Sequence, residues 1–289
     1  MNVVVTLLAR DNVDITAALI EYYLAEGVRA IIVTDNGSTD GALEVLEDYE
    51  HAGAITLLHE PGDDYRQSEW VSRMARIAAS DYAAEWVLNV DADEFWRSSD
   101  PRLGLVDVLA AQSPDTGMLV ARRHDLRGRG GLGGGWFSRL KWLDRQTISE
   151  RGTPLGVKVA HRASADAVVA MGNHDVSGVA GSRVDSGVLE IVHIPLRSWR
   201  QFSQKVRVGG AAVERNANLN EDAAWHWRAD YVRLQSGELQ AEYWARAPRA
   251  SELLLGLISG RVRRERRLQR RLTSIAGVLP DRLKQSLAA

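Results

Sequence analysis

Four short apolar runs alternate with helical patterns in the first ninety residues of this chain. The runs are VVVTLLA (3–9), AIIVT (30–34), AITLL (54–58) and WVLNV (86–90). Nearly continuous apolar runs of this length are typical of strands buried on both faces. Between the first two runs, apolar residues recur every three or four positions from Val13 to Leu24, which indicates a helix that should stop near Gly27. The alternation predicts an α/β fold with right-handed crossovers and a mixed, mostly parallel sheet flanked by helices.

The pattern changes after residue 100. Strand-like segments follow at GMLVARR (117–123), RLKWL (139–143), VKVAHRA (157–163) and VLEIVHI (188–194). They predict an antiparallel or mixed extension of the sheet. The glycine-rich segment RHDLRGRGGLGGGWF (123–137) predicts a mobile loop, which could be a lid over a ligand or a passive linker. We predict one domain over residues 1–215 and a helical extension over residues 216–289, which contains the basic stretch GRVRRERRLQRR.

Composition excludes several classes of protein. The 289 residues have a formal net charge of -2 at pH 7, which gives no reason to expect a nucleic-acid-binding protein. Cysteine is absent, so disulfides and thiolate metal sites are excluded, which fits a reducing cytoplasm. No apolar run approaches the roughly 18 residues of a membrane-spanning helix, and the start MNVVVTLLARDN lacks the basic region of a signal peptide. We expect a cytoplasmic protein whose contact with a membrane, if any, is peripheral.

The segment DNGSTDG (35–41) directly follows the second apolar run. Ser38, Thr39 or Asp40 can accept hydrogen bonds from the free amides of the next helix. Asp35 and Asn36 precede that cap and stand at the carboxyl end of the strand, where ligands collect in parallel sheets. A carboxylate and an amide in this place can read the donors and acceptors of a base or a ribose. We therefore predict a nucleotide-binding role for Asp35 and Asn36.

The segment WVLNVDADEFW (86–96) places Asp91, Asp93 and Glu94 at the end of an apolar strand. Crowded carboxylates repel one another and resist burial unless a cation or hydrogen bonds compensate. Magnesium and manganese commonly bind through one or two carboxylates, with water and phosphate oxygens completing the shell. A capped loop with solvated acids is the alternative, but the flanking apolar and aromatic residues argue against solvation. The pattern predicts a divalent metal site at Asp91 and Asp93, with Glu94 turned inward to bond the backbone.

These motifs resemble those of the family 2-like glycosyltransferases of GT-A fold, in particular the bacterial type with a DxD motif. The resemblance is carried by LLARDN, EYYLAEGV, VTDNGSTDG, WVLNVDADEFW and VHIPLRSWRQFSQKV, which together cover roughly residues 1 to 215. It implies a metal-dependent, inverting transfer of a hexose from a nucleotide-diphosphate sugar to an acceptor hydroxyl. A UDP-sugar is the favoured donor, and a glycan, a lipid-linked sugar or a small molecule is the implied acceptor.

The resemblance also implies roles for individual residues. Asp35 would contact the nucleotide, and residues 91–93 would be the metal-binding DxD motif. A divalent cation held there, Mn²⁺ or Mg²⁺, would bridge the donor diphosphate and act as a Lewis acid on the leaving group. The first strand ends in RDN (10–12), where such proteins often carry an Asn-Glu pair, and we place Arg10 with Asn36 and Asp91 among the donor-binding residues.

A histidine is the expected third metal ligand. His193 ends the apolar run VLEIVHI just before Pro195, and in the proteins that the chain resembles a histidine at the close of the GT-A core commonly supplies this ligand. His174 is a second candidate, and a buried histidine bonded to backbone is the alternative to a ligand. His161 has basic neighbours and is a poorer choice.

The acceptor side of the reaction has weaker signals. Asp175 could serve as the general base that deprotonates an acceptor hydroxyl, although a lone aspartate in a turn often forms an Asx-turn instead. No clear Glu-Asp pair of the kind that supplies this base in many related proteins is found downstream. Four basic residues could neutralise phosphate or lie solvated on the surface: Arg151, Lys158, Arg197 and Lys205.

Two features of the last seventy residues could also bind ligands or surfaces. Trp225 and Trp227 flank His226 and could stack on a sugar or pack between helices. Seven arginines between Arg261 and Arg271 could touch an anionic membrane, and a solvated helix is the alternative.

Two other functions fit parts of the pattern. A phosphatase of the haloacid dehalogenase type also places Asp-x-Asp after an apolar strand, but Phe95 stands where such proteins usually carry Thr or Val. A sugar-nucleotide or glycan-binding module without catalytic activity is the other alternative. Release of free nucleoside diphosphate distinguishes an enzyme from a binding module.

Overall fold

The computed structural model describes residues 1–62, 66–128, 136–145, 148, 152, 156–215, 225–280 and 283. Within this part of the chain, ten strands form one mixed sheet and two short strands form a separate hairpin. Alternate side chains of the first strands enter two different apolar clusters, one on each face of the sheet. The sheet is therefore covered on both faces, as its apolar strands require.

The N-terminal half of the sheet is parallel. Strands β3, β2, β1 and β4 lie side by side in that order and all run in the same direction. Their bounds and those of the intervening helices are β1 Val3–Ala9, α1 Val13–Ala25, β2 Ala30–Asp35, α2 Ala42–His51, β3 Thr56–His59, α3 Gln67–Ser80 and β4 Trp86–Asp91. Gly27, with a φ of 86°, follows α1 and lets the chain leave the helix in the left-handed region. This half matches the predicted strands and helices.

The following segment extends the sheet with mainly antiparallel pairs. Its elements are β5 Glu94–Ser98, α4 Leu105–Ala110, β6 Thr116–Gly128, the helical turn α5 Trp136–Arg139, β7 Leu140–Asp144, β8 Lys158–Arg162, β9 Val168–Val169, a 3₁₀ turn Met171–Asn173, β10 Val176–Ser177 and β11 Ser182–His193. Strand β8 joins β4 to β6, and β6 continues to β7. Strand β11 pairs in parallel with β6 and antiparallel with β5. The predicted mixed extension is confirmed.

The C-terminal segment returns to the sheet. Its elements are α6 Trp199–Arg215, α7 Trp225–Ser236, α8 Leu239–Ala245, α9 Ala250–Ile258, β12 Val262–Arg264 and α10 Arg267–Val278. Strand β12 pairs with β7 at the edge of the sheet, and α10 contributes Leu268, Leu272 and Ile275 to the same core as α1. Buried Arg97 of β5 binds Glu265 through two hydrogen bonds of 2.7 and 3.0 Å. This ion pair fixes the β12–α10 connection onto the sheet.

Some of the predicted boundaries need correction. Residues 123–128 belong to β6 and not to a loop, because they pair with both β7 and β11. The rest of the glycine-rich loop, residues 129–135, lies outside the described residues. The extension after residue 215 is not wholly helical, since β12 is a strand. The division into residues 1–215 and 216–289 stays a prediction.

Part of the arginine-rich stretch is used inside the fold. Arg263 donates to Glu190, Arg267 to the Ser98 carbonyl and Arg271 to the Ala25 carbonyl. These contacts account for three of the seven arginines that suggested membrane contact. Among the described residues, no helix combines the length and apolarity needed to cross a bilayer.

Candidate functional site

The carboxyl ends of β1, β2 and β4 meet at one edge of the sheet. In the strand registers Ala9 lies beside Asp35 and Leu8 beside Asp91, so the segments that follow these strands are neighbours. A cavity of about 1040 Å³ opens there. Four residues singled out in the sequence line it together with His193: Arg10, Asn36, Asp91 and Asp93. This is the edge at which ligands bind in parallel sheets.

Side chains tie together the loops after β1 and β2. Asp11, whose φ of 51° is unusual for a non-glycine residue, accepts a hydrogen bond of 2.7 Å from the Thr39 amide. Asp40 accepts hydrogen bonds from the amides of Val13 and Ala42, which begin α1 and α2. The predicted cap of α2 is thus confirmed for Asp40, which also binds the first amide of α1. These hydrogen bonds join the two loops into the floor of the cavity.

Asn36 joins this floor to the segment after β3. Its side-chain oxygen accepts a hydrogen bond of 3.1 Å from Arg10, and its amide nitrogen donates to the carbonyls of Glu60 and Gly62. Every polar atom of the side chain is therefore engaged within the protein. The arrangement orients Arg10 toward the cavity and leaves Asn36 itself a positioning role.

Asp35 lies behind the cavity lining and is almost fully buried. One carboxylate oxygen accepts a hydrogen bond of 3.1 Å from the Ser38 amide. The other oxygen, Oδ1, is buried without a hydrogen-bond partner among the described residues. A buried oxygen in this state is costly, and a ligand donor such as a base N–H would satisfy it if the loop moved slightly.

Asp91 is bound from three sides. Lys158, at the start of β8, donates to Oδ2, while Asn173 donates to Oδ1 over 2.9 Å and Gln67 approaches the same oxygen at 3.4 Å. Lys158 is itself buried and also lies 3.2 Å from Glu94. Burial alone would lower the pKa of Lys158, but Asp91 and Glu94 outweigh it and raise that pKa. Lys158 therefore stays charged between the two carboxylates.

Glu94 occupies a different environment from the one predicted. It is fully buried, and neither carboxylate oxygen forms a hydrogen bond to the backbone or to another described residue. Its neighbours are the cations of Lys158 and, at 3.7 Å, Arg123. Burial raises the pKa of Glu94 although Lys158 opposes the change. The prediction of backbone hydrogen bonds was wrong, because the strand direction points the side chain at Lys158.

Asp93 is the most strongly stabilised carboxylate of the cavity. Lys205 of α6 donates to its Oδ2 over 2.8 Å, and Nε2 of His193 lies 3.7 Å from its Oδ1. Burial alone would raise the pKa of Asp93, but Lys205, His193 and Arg197 outweigh it and hold that pKa well below its usual range. Asp93 is therefore ionised throughout the physiological pH range.

His193 is oriented by Asp125, a residue that the sequence analysis did not single out. The two residues are register partners on the parallel strands β11 and β6, and Nδ1 of His193 lies 2.7 Å from Oδ1 of Asp125. Burial would raise the pKa of Asp125, but the hydrogen bond from His193 lowers it, so Asp125 is the acceptor and Nδ1 the donor. In a neutral imidazole, Nε2 then carries the lone pair, and Nε2 is the atom that faces Asp93.

Asp93 and His193 are the residues that would hold a divalent cation, because their donor atoms face each other in the cavity, whereas Asp91 is bound to Lys158. Oδ1 of Asp93 and Nε2 of His193 lie 3.7 Å apart, which is longer than the roughly 3 Å between adjacent ligands of an octahedral ion, so the two side chains would have to move slightly closer to share one ion. A carboxylate on the other ring nitrogen is the usual support of a metal-binding histidine. Within the described ranges no three His, Cys, Asp or Glu side chains are grouped closely enough to hold a metal on their own.

Of the other predicted site residues Asp175, His174 and His161, only His174 lines the cavity. Asp175 is exposed at the surface, where Arg183 donates to it over 2.6 Å, and it does not line the cavity. His174 lines the cavity and its Nδ1 lies 2.7 Å from the Val157 carbonyl. Buried His161 bonds the Arg162 carbonyl and is not part of the lining. The structure therefore does not bring Asp175 to the site.

The C-terminal helices form the far wall of the cavity. Trp225, His226 and Trp227 all line it, and the Lys205 ammonium lies 5.7 Å from the centre of the Trp227 ring. Arg197 is buried and binds the Asp14 carboxylate at 2.8 Å. Arg197 thus fixes the start of α6 to α1, while Lys205 faces the site. The remaining basic candidate, Arg151, lies outside the described residues.

Gln67, Asn173 and Asp125 are the polar contacts that sequence reasoning missed. Each acts on a site residue far away in the chain, such as Asn173 on Asp91. Gln67 begins α3 and its oxygen accepts a hydrogen bond of 2.9 Å from the Gly172 amide, which places Asn173 beside Asp91. The one signal in the sequence was the position of Asp125 in the strand β6, which could place its side chain toward the interior. The glycine-rich residues that follow made this segment look like a loop.

A known protein family matches the part of the chain that contains most of these site residues. The model of glycosyltransferase family 92 matches residues 6–105. These residues run from the second half of β1 through β5 and include Arg10, Asp35, Asn36, Asp91 and Asp93. The resemblance to glycosyltransferases is confirmed at this level, whereas the assignment to family 2 and the DxD metal motif stay predictions.

A similar protein with an assigned role is the lipopolysaccharide core biosynthesis glycosyltransferase LpsC of Rhizobium meliloti (strain 1021). The two chains are 34% identical over 101 residues. The matched segment is 35% of this chain and 35% of LpsC, so the likeness covers about a third of the relative's length.

Solved structures resemble the chain only distantly. A TarS fragment of S. aureus in complex with UDP-GlcNAc has a TM-score of 0.43 and 13% identity, with 99% of this chain and 84% of that one covered. The crystal structure of a mycobacterial protein has a TM-score of 0.37 and 18% identity, with 76% of each chain covered. Scores at this level support no statement about the function of the chain.

Proposed function

We propose that this protein is a glycosyltransferase that moves a sugar from a nucleotide-diphosphate sugar to an acceptor hydroxyl. One observation carries the proposal. The segment that matches a glycosyltransferase family, residues 6–105, supplies Arg10, Asp91 and Asp93 to the wall of a single large cavity. The cavity lies at the carboxyl ends of parallel strands, where nucleotides bind in sheets of this type.

The donor nucleotide would occupy the floor formed by the loops after β1 and β2. Asp35 has a buried oxygen without a partner there, and Arg10 faces the cavity from the same side. A base or ribose donor would satisfy Asp35, and the Arg10 guanidinium would meet a phosphate oxygen. Uridine is the first base to test, on the resemblance described above.

A divalent cation, Mn²⁺ or Mg²⁺, would be held by Asp93 and His193. When bound, it would supply positive charge to the diphosphate leaving group. Lys205 contacts Asp93 from the cavity side and would share in neutralising the diphosphate. Both carboxylate oxygens of Asp91 already accept hydrogen bonds, from Lys158, Asn173 and Gln67, so we assign Asp91 to orienting the donor.

The acceptor would bind between this floor and the C-terminal helices. Most ligand cavities hold about 300–1,000 Å³, and the volume of about 1040 Å³ leaves room for a donor and an acceptor together. Trp225 and Trp227 on the far wall offer flat faces on which a sugar ring can stack. We also propose that the transfer inverts the configuration at the anomeric carbon of the sugar. The anomeric signal of the product in NMR spectra distinguishes inversion from retention.

Release of nucleoside diphosphate tests the proposal directly. The purified chain is incubated with UDP-, GDP- and dTDP-sugars, with Mn²⁺ or with excess chelator, and free diphosphate is measured. Metal-dependent release from one donor is the expected result. A rise in melting temperature with a donor but no release, even with acceptors of all three classes supplied, would instead identify a binding module. Full release of nucleoside diphosphate in excess chelator would refute the requirement for a metal ion but not the transfer reaction.

A further inference from the structure

Helix α9, Ala250–Ile258, turns a row of large apolar side chains toward solvent. Leu254, Leu255, Leu257 and Ile258 are between 41% and 75% exposed. Leu253 and Gly256 are the two buried positions of this helix and mark the side that faces the protein. Adjacent apolar side chains of this size are normally covered in a soluble protein, so the outer face of α9 lacks a partner.

The exposed residues share one side of the helix. At 100° per residue, Leu254, Ile258 and Leu255 follow one another on the side away from Leu253, and Leu257 lies at the edge of this arc, nearer to Leu253. Ser251 is the polar residue within that arc, while Glu252 lies at its border and accepts a hydrogen bond of 3.0 Å from the Arg249 amide. The outer face is therefore mainly apolar. We call it the α9 face, defined by Leu254, Leu255, Leu257 and Ile258.

Packing against β12 holds the α9 face in place. A Cβ atom added to Gly256 would lie 2.5 Å from Cγ2 of Val262, which shows how closely the helix approaches the strand. Strand β12 is in turn paired with β7 in the main sheet. The α9 face is thus a fixed part of the fold and adjoins the cavity, because Ala247 and Pro248 of the cavity lining immediately precede Arg249.

Exposed arginines stand before and after helix α9 in the sequence. Exposed Arg249 directly precedes the helix, and exposed Arg264 and Arg266 follow it on the strand that packs against it and on the adjoining turn. The combination of apolar side chains and arginines is complementary to an anionic lipid bilayer, which offers acyl chains below a layer of negative headgroups. A helix of nine residues is only about 13 Å long, too small to bury the roughly 1,200–2,000 Å² of a stable dimer.

We propose that the α9 face docks the protein onto an anionic lipid bilayer. Leu254, Leu255, Leu257 and Ile258 insert among the headgroups, and Arg249 and Arg264 meet lipid phosphates. Ala247 and Pro248 of the cavity lining then lie within a few residues of the docked helix. The docking itself is independent of the proposed transfer reaction, and its test uses no donor or acceptor.

Vesicle sedimentation tests this proposal. The full chain is mixed with vesicles of phosphatidylcholine alone and with vesicles that also contain phosphatidylglycerol. Binding to the anionic vesicles is expected, and the double variant Leu255→Ser/Ile258→Ser should weaken it roughly a hundredfold, because each side chain contributes about tenfold. Arg249→Gln and Arg264→Gln should each weaken it about fivefold. The matched control is Val232→Ser/Val278→Ser, which removes two exposed apolar residues of other helices and should bind like the parent.

Three results would overturn the proposal. The first is an absence of parent binding to anionic vesicles, and the second is equal binding to neutral and anionic vesicles. The third is undiminished binding by Leu255→Ser/Ile258→Ser. Gel filtration of the same variants tests a second copy of the chain as the occupant, and a dimer that only this variant dissociates would also overturn the proposal. All substitutions are at exposed positions, so equal melting temperatures verify that each variant is folded.

Discussion

The imidazole of His193 donates a hydrogen bond of 2.7 Å to the carboxylate of Asp125, its register partner on the neighbouring parallel strand. The bond leaves Nε2 pointing toward Asp93, at 3.7 Å from its nearer oxygen. A single pairing between β6 and β11 thus decides which ring nitrogen faces the proposed cation. Strand register, and not a local motif, orients this half of the site.

Asp125→Ala should weaken manganese binding while leaving the fold intact. Without the carboxylate, His193 can rotate or adopt the other tautomer, and loss of such a supporting residue typically costs 10–100-fold in metal affinity. Binding is measured by the change in the electron paramagnetic resonance of Mn²⁺, with the nucleoside diphosphate present. Asp144→Ala is the control, since Asp144 is an equally buried acid on the adjacent strand β7 and does not line the cavity. Unchanged affinity in Asp125→Ala would contradict the positioning role.

Asp93→Ala should abolish sugar transfer and leave the protein folded. The substitution removes the proposed metal ligand and the partner of Lys205, and we expect nucleoside diphosphate release to fall by more than about a hundredfold. Asp91→Asn should weaken donor binding and leave Asp93 and His193 in place. Asp185→Ala is the surface control, because Asp185 is paired with exposed Arg122. A folded Asp93→Ala variant with parental activity would refute the assignment.

Lys158→Met should destabilise the protein strongly. The change leaves Asp91 and fully buried Glu94 without the cation that compensates both, and breaking a buried pair in this way costs about 3–5 kcal/mol. Adding Glu94→Gln should recover part of that loss, because one uncompensated charge is removed. The free energy of unfolding is measured in urea. Lys141→Met, at a half-buried position of β7, is the control. Equal stabilities of the single and double variants would show that Glu94 carries no charge.

His161 should make the protein acid-sensitive. Burial lowers the pKa of His161 to about 4, against an ordinary value of 6.5. Between these values the unfolded chain binds a proton that the folded protein does not, so stability is complete above about pH 6.5 and falls as the pH decreases toward 4. The full difference corresponds to about 3 kcal/mol. His161→Gln should reduce this loss, measured by urea unfolding across the range, whereas exposed His51→Gln should not. An identical pH dependence in His161→Gln would count against the assignment.

Sequence patterns were sufficient for the parallel half of the fold. The four apolar runs became β1 to β4, and the acids that follow them lie at one sheet edge as expected. This succeeded because each crossover is local: the direction of one strand and its helix determines where the next strand lies. The longer strands after residue 100, β6, β7, β8 and β11, were also predicted, but not their neighbours, and the short strands β9, β10 and β12 were missed. Pairing between β6 and β11 depends on contacts some seventy residues apart, which no local periodicity encodes.

The site shows the same division. Asp91 and Asp93 were identified from their position, yet the crowding of carboxylates was attributed to a metal alone. The structure compensates them with Lys158 and Lys205, which come from β8 and α6. A basic residue in a strand or helix looks the same in sequence whether it is solvated or buried against an acid. Asp175 was predicted as a general base from its place in a turn. In the structure it pairs with Arg183 at the surface and does not line the cavity.

The buried ion pair between Arg97 and Glu265 has a consequence for the order of folding during synthesis. Arg97 lies in β5, beside the site, but Glu265 is made 168 residues later. Until the ribosome has released that part of the chain, Arg97 has Glu190 as its described acidic partner, and the β12–α10 connection is missing from the sheet edge. A nascent chain can therefore form the floor of the cavity early, while the core against which α10 packs stays incomplete until α10 has emerged.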